Sequence, residues 1–214
     1  MNGIKLQDRL YLGLGRSARF VGRSTDAFRP NGPFNPLDRQ NRFLRLPATF
    51  VSAKGSGTRT NSHGEALWHG VFDGSYTRVG DYLVLGTGTF FVISQVPLLP
   101  ILCVRTNRTI SITRPSMQTA TAANTYGGYT SSNSVMLMSE WPASVLGENR
   151  SGASATGLPG DQTSPYWAIL IPAPAGVLLS SGDIVTDDLG RTAVIAGSEL
   201  TDLGWRISAK MVTT

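Results

Sequence analysis

The chain has 214 residues, of which 41% are apolar and only 15% charged, and it carries 24 Gly and 12 Pro. That length suits one domain or two with a sizeable core, while the glycine and proline load demands frequent turns and excludes a coiled coil or a bundle of long helices. The single Cys103 excludes an internal disulfide and any clustered-thiolate metal site, and points to folding in an intracellular compartment. The longest apolar runs, 96–104 and 167–179, contain prolines and fall short of the roughly 20 residues a membrane-crossing helix needs. With no apolar signal core or cleavage site near residue 1, neither a membrane span nor export is expected.

Net charge is +5, distributed unevenly: residues 1–60 hold eleven Lys and Arg against Asp8, Asp26 and Asp38, a net of +8, and the remainder holds eight against eleven, a net of −3. A basic N-terminal quarter suits an acidic protein surface or the vicinity of nucleic acid, where cations near phosphates release counterions; no reading motif accompanies the arginines. Leu6, Leu10, Leu14, Ala18 and Val21 recur at three- and four-residue spacing, which predicts an amphipathic helix over 5–21 showing Lys5, Gln7, Arg9, Arg16 and Arg19 outward. Gly13 and Gly15 weaken it at about 1 kcal/mol each, so it needs a surface to pack on. Residues 22–42, punctuated by Pro30, Asn31-Gly32-Pro33 and Asn35-Pro36, read as an extended arm whose Phe28, Phe34 and Phe43 lay it along a neighbour.

Beyond residue 43 the pattern is one of short strands, predicted at 67–72, 82–85, 89–94, 102–105, 109–113, 135–138, 167–171, 183–186, 192–196 and 205–211, with loops at 116–134 and 147–165. The second half repeats the first in order. Leu46-Pro47-Ala48 matches Trp141-Pro142-Ala143, Trp68 matches Trp167, and Gly80-Asp81 matches Gly182-Asp183, at offsets rising through 95, 99 and 102; beyond Gly80 the match reads without gaps, placing Gly88 on Gly190 and Val92-Ile93 on Val194-Ile195. Asp81, Asp183, Asp187 and Asp188 then read as turn residues, because Gly accepts positive φ and Asp bonds the following amides.

Chemical motifs are sparse. Gly13-Leu14-Gly15-Arg16-Ser17-Ala18 has dinucleotide-loop spacing, but no strand precedes it, and Gly55-Ser56-Gly57-Thr58 lacks the lysine of a phosphate loop. His63 and His69 lie in no metal-ligand spacing; His69 is expected outward and partly solvated on a strand, and Cys103 is expected to be an inert buried thiol. Trp68, Trp141, Trp167 and Trp205 are expected in the core rather than in a stacking platform. Asn107-Arg108-Thr109 fits a glycosylation acceptor, which has little meaning without export. No catalytic, metal or cofactor site is expected.

Gln7-Asp8-Arg9-Leu10-Tyr11 with Gly13 and Gly15, Phe28-Arg29-Pro30, the run from Gly80-Asp81-Tyr82-Leu83 to Gly88-Thr89-Phe90-Phe91, and the ending from Asp187-Asp188-Leu189-Gly190 to Leu203-Gly204-Trp205-Arg206 together resemble structural proteins of tailed, mainly short-tailed, bacteriophages. The resemblance spans nearly the whole chain and implies a virion component, made in the bacterial host cytoplasm, with no defined activity. The last hairpin also resembles those of β-barrel proteins that complete phage heads or join them to tails.

The expectation is a mainly β chain of two tandem related sandwich- or barrel-like modules, at 43–113 and 135–214, joined by a linker at 114–134 and preceded by a helix and docking arm at 1–42. Its expected role is a non-enzymatic neck or tail part in symmetric copies, with other virion proteins as partners, non-specific proximity to DNA as a further option, and Arg9, Arg16, Arg19, Phe28, Arg29, Phe34 and Phe43 as partner-binding residues. Three other readings are a capsid decoration protein, a lumenal DNA-binding module, and a cell-wall-polymer enzyme using Trp68 or Trp167 with two of Asp73, Asp81, Glu140 and Asp183.

Overall fold

The computed structural model describes residues 3–52, 66–86, 88–115, 134–148 and 166–212. One helix, α1 (Gly3–Val21), precedes twelve strands: β1 (Arg23–Phe28), β2 (Arg42–Ser52), β3 (Leu67–Val71), β4 (Tyr82–Leu85), β5 (Gly88–Ser94), β6 (Ile101–Arg105), β7 (Arg108–Arg114), β8 (Val135–Glu148), β9 (Tyr166–Ile171), β10 (Ile184–Asp187), β11 (Thr192–Thr201) and β12 (Gly204–Met211). They close into two six-stranded barrels, in the order β1-β2-β3-β6-β5-β4 and β7-β8-β9-β12-β11-β10. The second order is the first with six added to every strand number, so the duplication extends to topology, and closure leaves each sheet without a free edge.

The registers align the repeat. In the first barrel Arg23 faces Ala48 and Ser24 faces Pro47; in the second Arg108 faces Ala143 and Thr109 faces Pro142. Both central hairpins also share a bulge, at Ile93 between Val92 and Ser94 and at Ala196 between Ile195 and Gly197. A bulge bends its strand, and its recurrence at one place marks a corner of the common design.

Three sequence expectations require correction. Residues 23–28 are not part of a docking arm but the first strand of barrel one, and Arg108–Arg114 belongs to barrel two rather than to the end of the first module. The modules therefore divide between Arg105 and Arg108; of the predicted linker, Arg114 lies in β7 and 116–133 falls outside the described residues. The ungapped match beyond Gly80 fails by one residue. Val92 exchanges backbone bonds with Gly80 and Asp81 as Ile195 does with Gly182 and Asp183, because the β10–β11 tip is one residue longer than the β4–β5 tip.

Alternation along the strands sends Ala27, Leu46, Ala48, Leu83, Phe90, Val92, Ile101 and Cys103 into the first barrel and Ile112, Ile169, Val185, Ala193, Ile195, Ile207 and Ala209 into the second core. Strand β5 is buried on both faces, because Phe91 and Ile93 on its outer side join Tyr82 and Val104 against barrel two. At that junction the Tyr82 hydroxyl donates to the Pro142 carbonyl at 2.8 Å and its ring meets Trp141 edge-on at 6.1 Å. Asn107 pairs with both backbone groups of Val145, at 2.8 Å each.

The helix forms as predicted, and Leu10, Leu14 and Ala18 lie on its covered side, but that side is centred on Tyr11, Gly15 and Ala18 and takes in Gln7, while Leu6 and Val21 are exposed. Glycine is the reason. A Cβ on Gly15 would lie 2.9 Å from that of Asp73, and one on Gly74 would lie 2.7 Å from the Tyr11 ring, so these two glycines permit the close approach of helix and barrel. No helix among the described residues is long and apolar enough to cross a membrane.

Candidate docking surface

Each barrel closes on one pair of strands, β1 with β4 and β7 with β10. The last paired rungs are Phe28 opposite Tyr82 and Thr113 opposite Ile184. The next rung in each ladder is an arginine opposite an aspartate. Arg29 donates from Nε to Asp81 Oδ1 at 2.9 Å and from Nη2 to Oδ2 at 2.8 Å; Arg114 donates to Asp183 in the same fork at 2.8 and 2.9 Å. The carboxylates are fully buried in the turns that start β4 and β10, where Gly80 and Gly182 take φ of 91° and 94°. There they also accept the amides of Arg78 and Ser180, at 2.9 and 2.8 Å. The aspartates are turn residues, as expected, and also one half of a two-pronged, charge-assisted staple across each barrel seam. These bonds raise both guanidinium pKa values above the ordinary arginine range.

A third carboxylate, Asp187, closes the β10–β11 tip by accepting the amides of Leu189 and Arg191 and a forked contact from the Arg191 side chain. Burial pushes its pKa up, but the Arg191 bonds and charge and the two amides outweigh that and leave it below the ordinary value.

The predicted docking residues therefore separate into two groups. Arg29 is committed to Asp81 and stacks over the Phe43 ring at 4.3 Å, and Phe28 packs half-buried on the joint core, so these three serve the fold. The arm beyond them lies along the chain's own second barrel: the Pro33 carbonyl accepts the Ser139 amide at 2.9 Å and the Trp141 indole at 2.8 Å, and Asn35 donates to Glu140. Phe34, 66% exposed, remains at the surface. Arg9, Arg16 and Arg19 stay exposed on α1 with no ion pair among the described residues.

At 100° per residue Lys5, Arg9, Leu12, Arg16 and Phe20 form one outward stripe opposite the buried face, with Leu12 half and Phe20 90% exposed. Beside it runs a groove of about 410 Å³ between α1 and β2, bordered by Leu12, Arg16, Arg19, Leu44 and Tyr76. This strip combines basic and exposed apolar side chains, the composition that protein interfaces use.

The other candidate residues are dispersed. Cys103 faces the first core beside Trp68, and burial raises its thiol pKa; His69 on the neighbouring position faces the opposite side of the sheet, so the two do not pair. Asp73 accepts the Ser75 amide in its own turn, Glu140 sits exposed beside Asn35, and Asp81 and Asp183 occupy equivalent places in different barrels. Trp141, Trp167 and Trp205 are buried and Trp68 packs half-buried on the first core. His63 lies outside the described residues.

The staple residues had a signal in the sequence. Arg23 to Arg29-Pro30 repeats as Arg108 to Arg114-Pro115 at an offset of 85, continuing downward the series of offsets that marks the rest of the duplication. No family model matches the chain, and no curated protein or solved structure matches it significantly.

Proposed function

We propose that the chain is a non-enzymatic structural component of a tailed-phage virion, placed in the neck or tail, where symmetric copies join head to tail or attach a tail appendage. The observation that carries this reading is a closed barrel built twice on the same stapled seam and fronted by a helix whose outer stripe is basic, apolar and uncovered. Closed barrels offer no strand edges for augmentation, so attachment must use faces and tips, and the Lys5–Phe20 stripe is such a face. The resemblance of the chain to phage structural proteins supplies the setting.

The experiment is to purify tailed particles from cells encoding the chain and quantify it by mass spectrometry, for the native sequence and for a Lys5→Glu, Arg9→Glu, Phe20→Ser variant. The reading expects the native chain in particles at a fixed, low copy number and the variant depleted. Absence of the native chain from particles overturns it, and a copy number that scales with the capsid lattice favours a decoration protein.

A further inference from the structure

In barrel one the tip of the β5–β6 hairpin rests on the helix, with the Leu98 amide donating to Gln7 at 2.6 Å. Among the described residues the corresponding β11–β12 tip of barrel two rests on no helix, since only Thr106 and Asn107 separate β6 from β7. It nevertheless carries the side chains of a docking element. Leu200 and Leu203 are 53% and 41% exposed, and Glu199 and Asp202 stand exposed beside them. The turn is bonded within itself: Thr201 Oγ1 donates to the Gly204 carbonyl at 2.8 Å and accepts the Leu203 amide at 3.2 Å. Arg206 faces Glu199 across the ladder, leaving the tip net acidic.

The groove beside α1 has the opposite character. Arg16 and Arg19 flank it without an acidic partner among the described residues, and Leu12, Leu44 and Tyr76 provide its apolar wall. The groove's other charges are Arg45, paired with Asp26 at 2.7 Å, and Asp73, whose Oδ1 accepts the Ser75 amide at 3.0 Å; with Asp73 counted the groove is still net basic. Two leucines flanked by two acids on an internally bonded turn thus complement a net-basic groove with an apolar wall and two arginines that have no ion pair among the described residues.

We propose that the Glu199–Leu203 tip of one copy seats in the groove between α1 and β2 of a second copy, its leucines against Leu12, Leu44 and Tyr76 and its carboxylates on Arg16 and Arg19. Tip and groove are different surfaces, so the contact is head-to-tail, and copies joined by it form a ring where the rotation between neighbours closes. This rests on the reading of the chain as a part that assembles in copies, and it gives that assembly an address.

The test uses the purified full-length chain in a dilution series followed by light scattering after size exclusion, with near-ultraviolet circular dichroism of the tryptophans to confirm folding. The native chain is expected to associate reversibly and to dissociate as salt is raised. Glu199→Lys with Asp202→Lys, and separately Arg16→Glu with Arg19→Glu, should each weaken association at least about tenfold, because attraction at the rim becomes repulsion. The combination of all four should associate again.

A native chain that stays monomeric, charge reversals that leave association unchanged, or a folded fourfold variant that does not recover would overturn the proposal. A chain that assembles through another surface and still enters particles would refute this contact and leave the virion reading intact. A chain that assembles as described but is missing from particles would do the reverse.

Discussion

Barrels one and two share strand order, seam staple and bulge, yet they are filled and covered differently. In barrel one Gly70 takes the place that Ile169 holds in barrel two, and the freed space admits the fully buried Phe72, whose ring lies 6.2 Å from that of Phe50; Phe50 in turn stacks on Phe90 at 3.8 Å. In barrel two Trp141 stands where barrel one has Leu46, and its indole reaches out to the Pro33 carbonyl. Barrel one is capped by α1, and barrel two by the outer face of barrel one and the 30–41 segment. The parts kept in both copies are the ones that close the sheet, and the parts that diverged fill it and decide what lies against it.

The largest expected effect tests what was kept. Arg29→Ala and Arg114→Ala each abandon a buried carboxylate that also organises a turn, and each should destabilise the protein by about 3 kcal/mol in urea unfolding. A large loss from one and none from the other would show that the staple is not a common device. Next comes the divergence of the cores. Gly70→Ala brings a Cβ within 2.4 Å of the fully buried Phe72 ring and 3.1 Å of Cys103, and overpacking of this kind should cost about 2 kcal/mol, whereas a neutral result would show the first core to be loosely packed.

A smaller effect sharpens the account of how the barrels meet. Tyr82→Phe removes the buried donor to Pro142 and should cost about 1 kcal/mol by thermal unfolding, with the aromatic packing retained. The smallest is a pH dependence. The folded pKa of Asp187 is depressed, so its contribution to stability is present above the unfolded carboxylate value near about 4 and is lost as pH falls below it. Stability of the native chain and of Asp187→Asn should therefore converge in acid, and a constant gap between them would exclude ionisation as the cause.

Much of this architecture was legible in the sequence. Strand periodicity located ten strands to within a residue or two at most ends, and repeated Trp and Gly-Asp positions exposed the duplication. What escaped had physical causes. Strand β1 is Arg-Ser-Thr-Asp-Ala-Phe, whose only buried positions are Thr25 and Ala27, so it carries almost no apolar alternation and shows itself only beside its copy, Arg108–Arg114. Strand β8 shows strand periodicity only over 135–138, because bulges and Glu140 at φ 56° interrupt its period before Trp141. Hydrophobicity places Leu10, Leu14 and Ala18 correctly on the covered side of the helix but also selects Leu6 and Val21, which are exposed, and it passes over Gly15, which closeness of approach selects. The partners of Arg29 and Arg114 lie more than fifty residues away in sequence, so only the fold separates the stapling Arg29 from the exposed Arg16.

The most direct measurement is a cryo-electron microscopy reconstruction of intact tailed particles carrying the chain. The account predicts density in the neck or tail for two similar closed barrels per subunit, repeated around the particle axis, with the outer stripe of α1 against another chain. Fully resolved neck and tail density that accommodates no such barrel pair would contradict it.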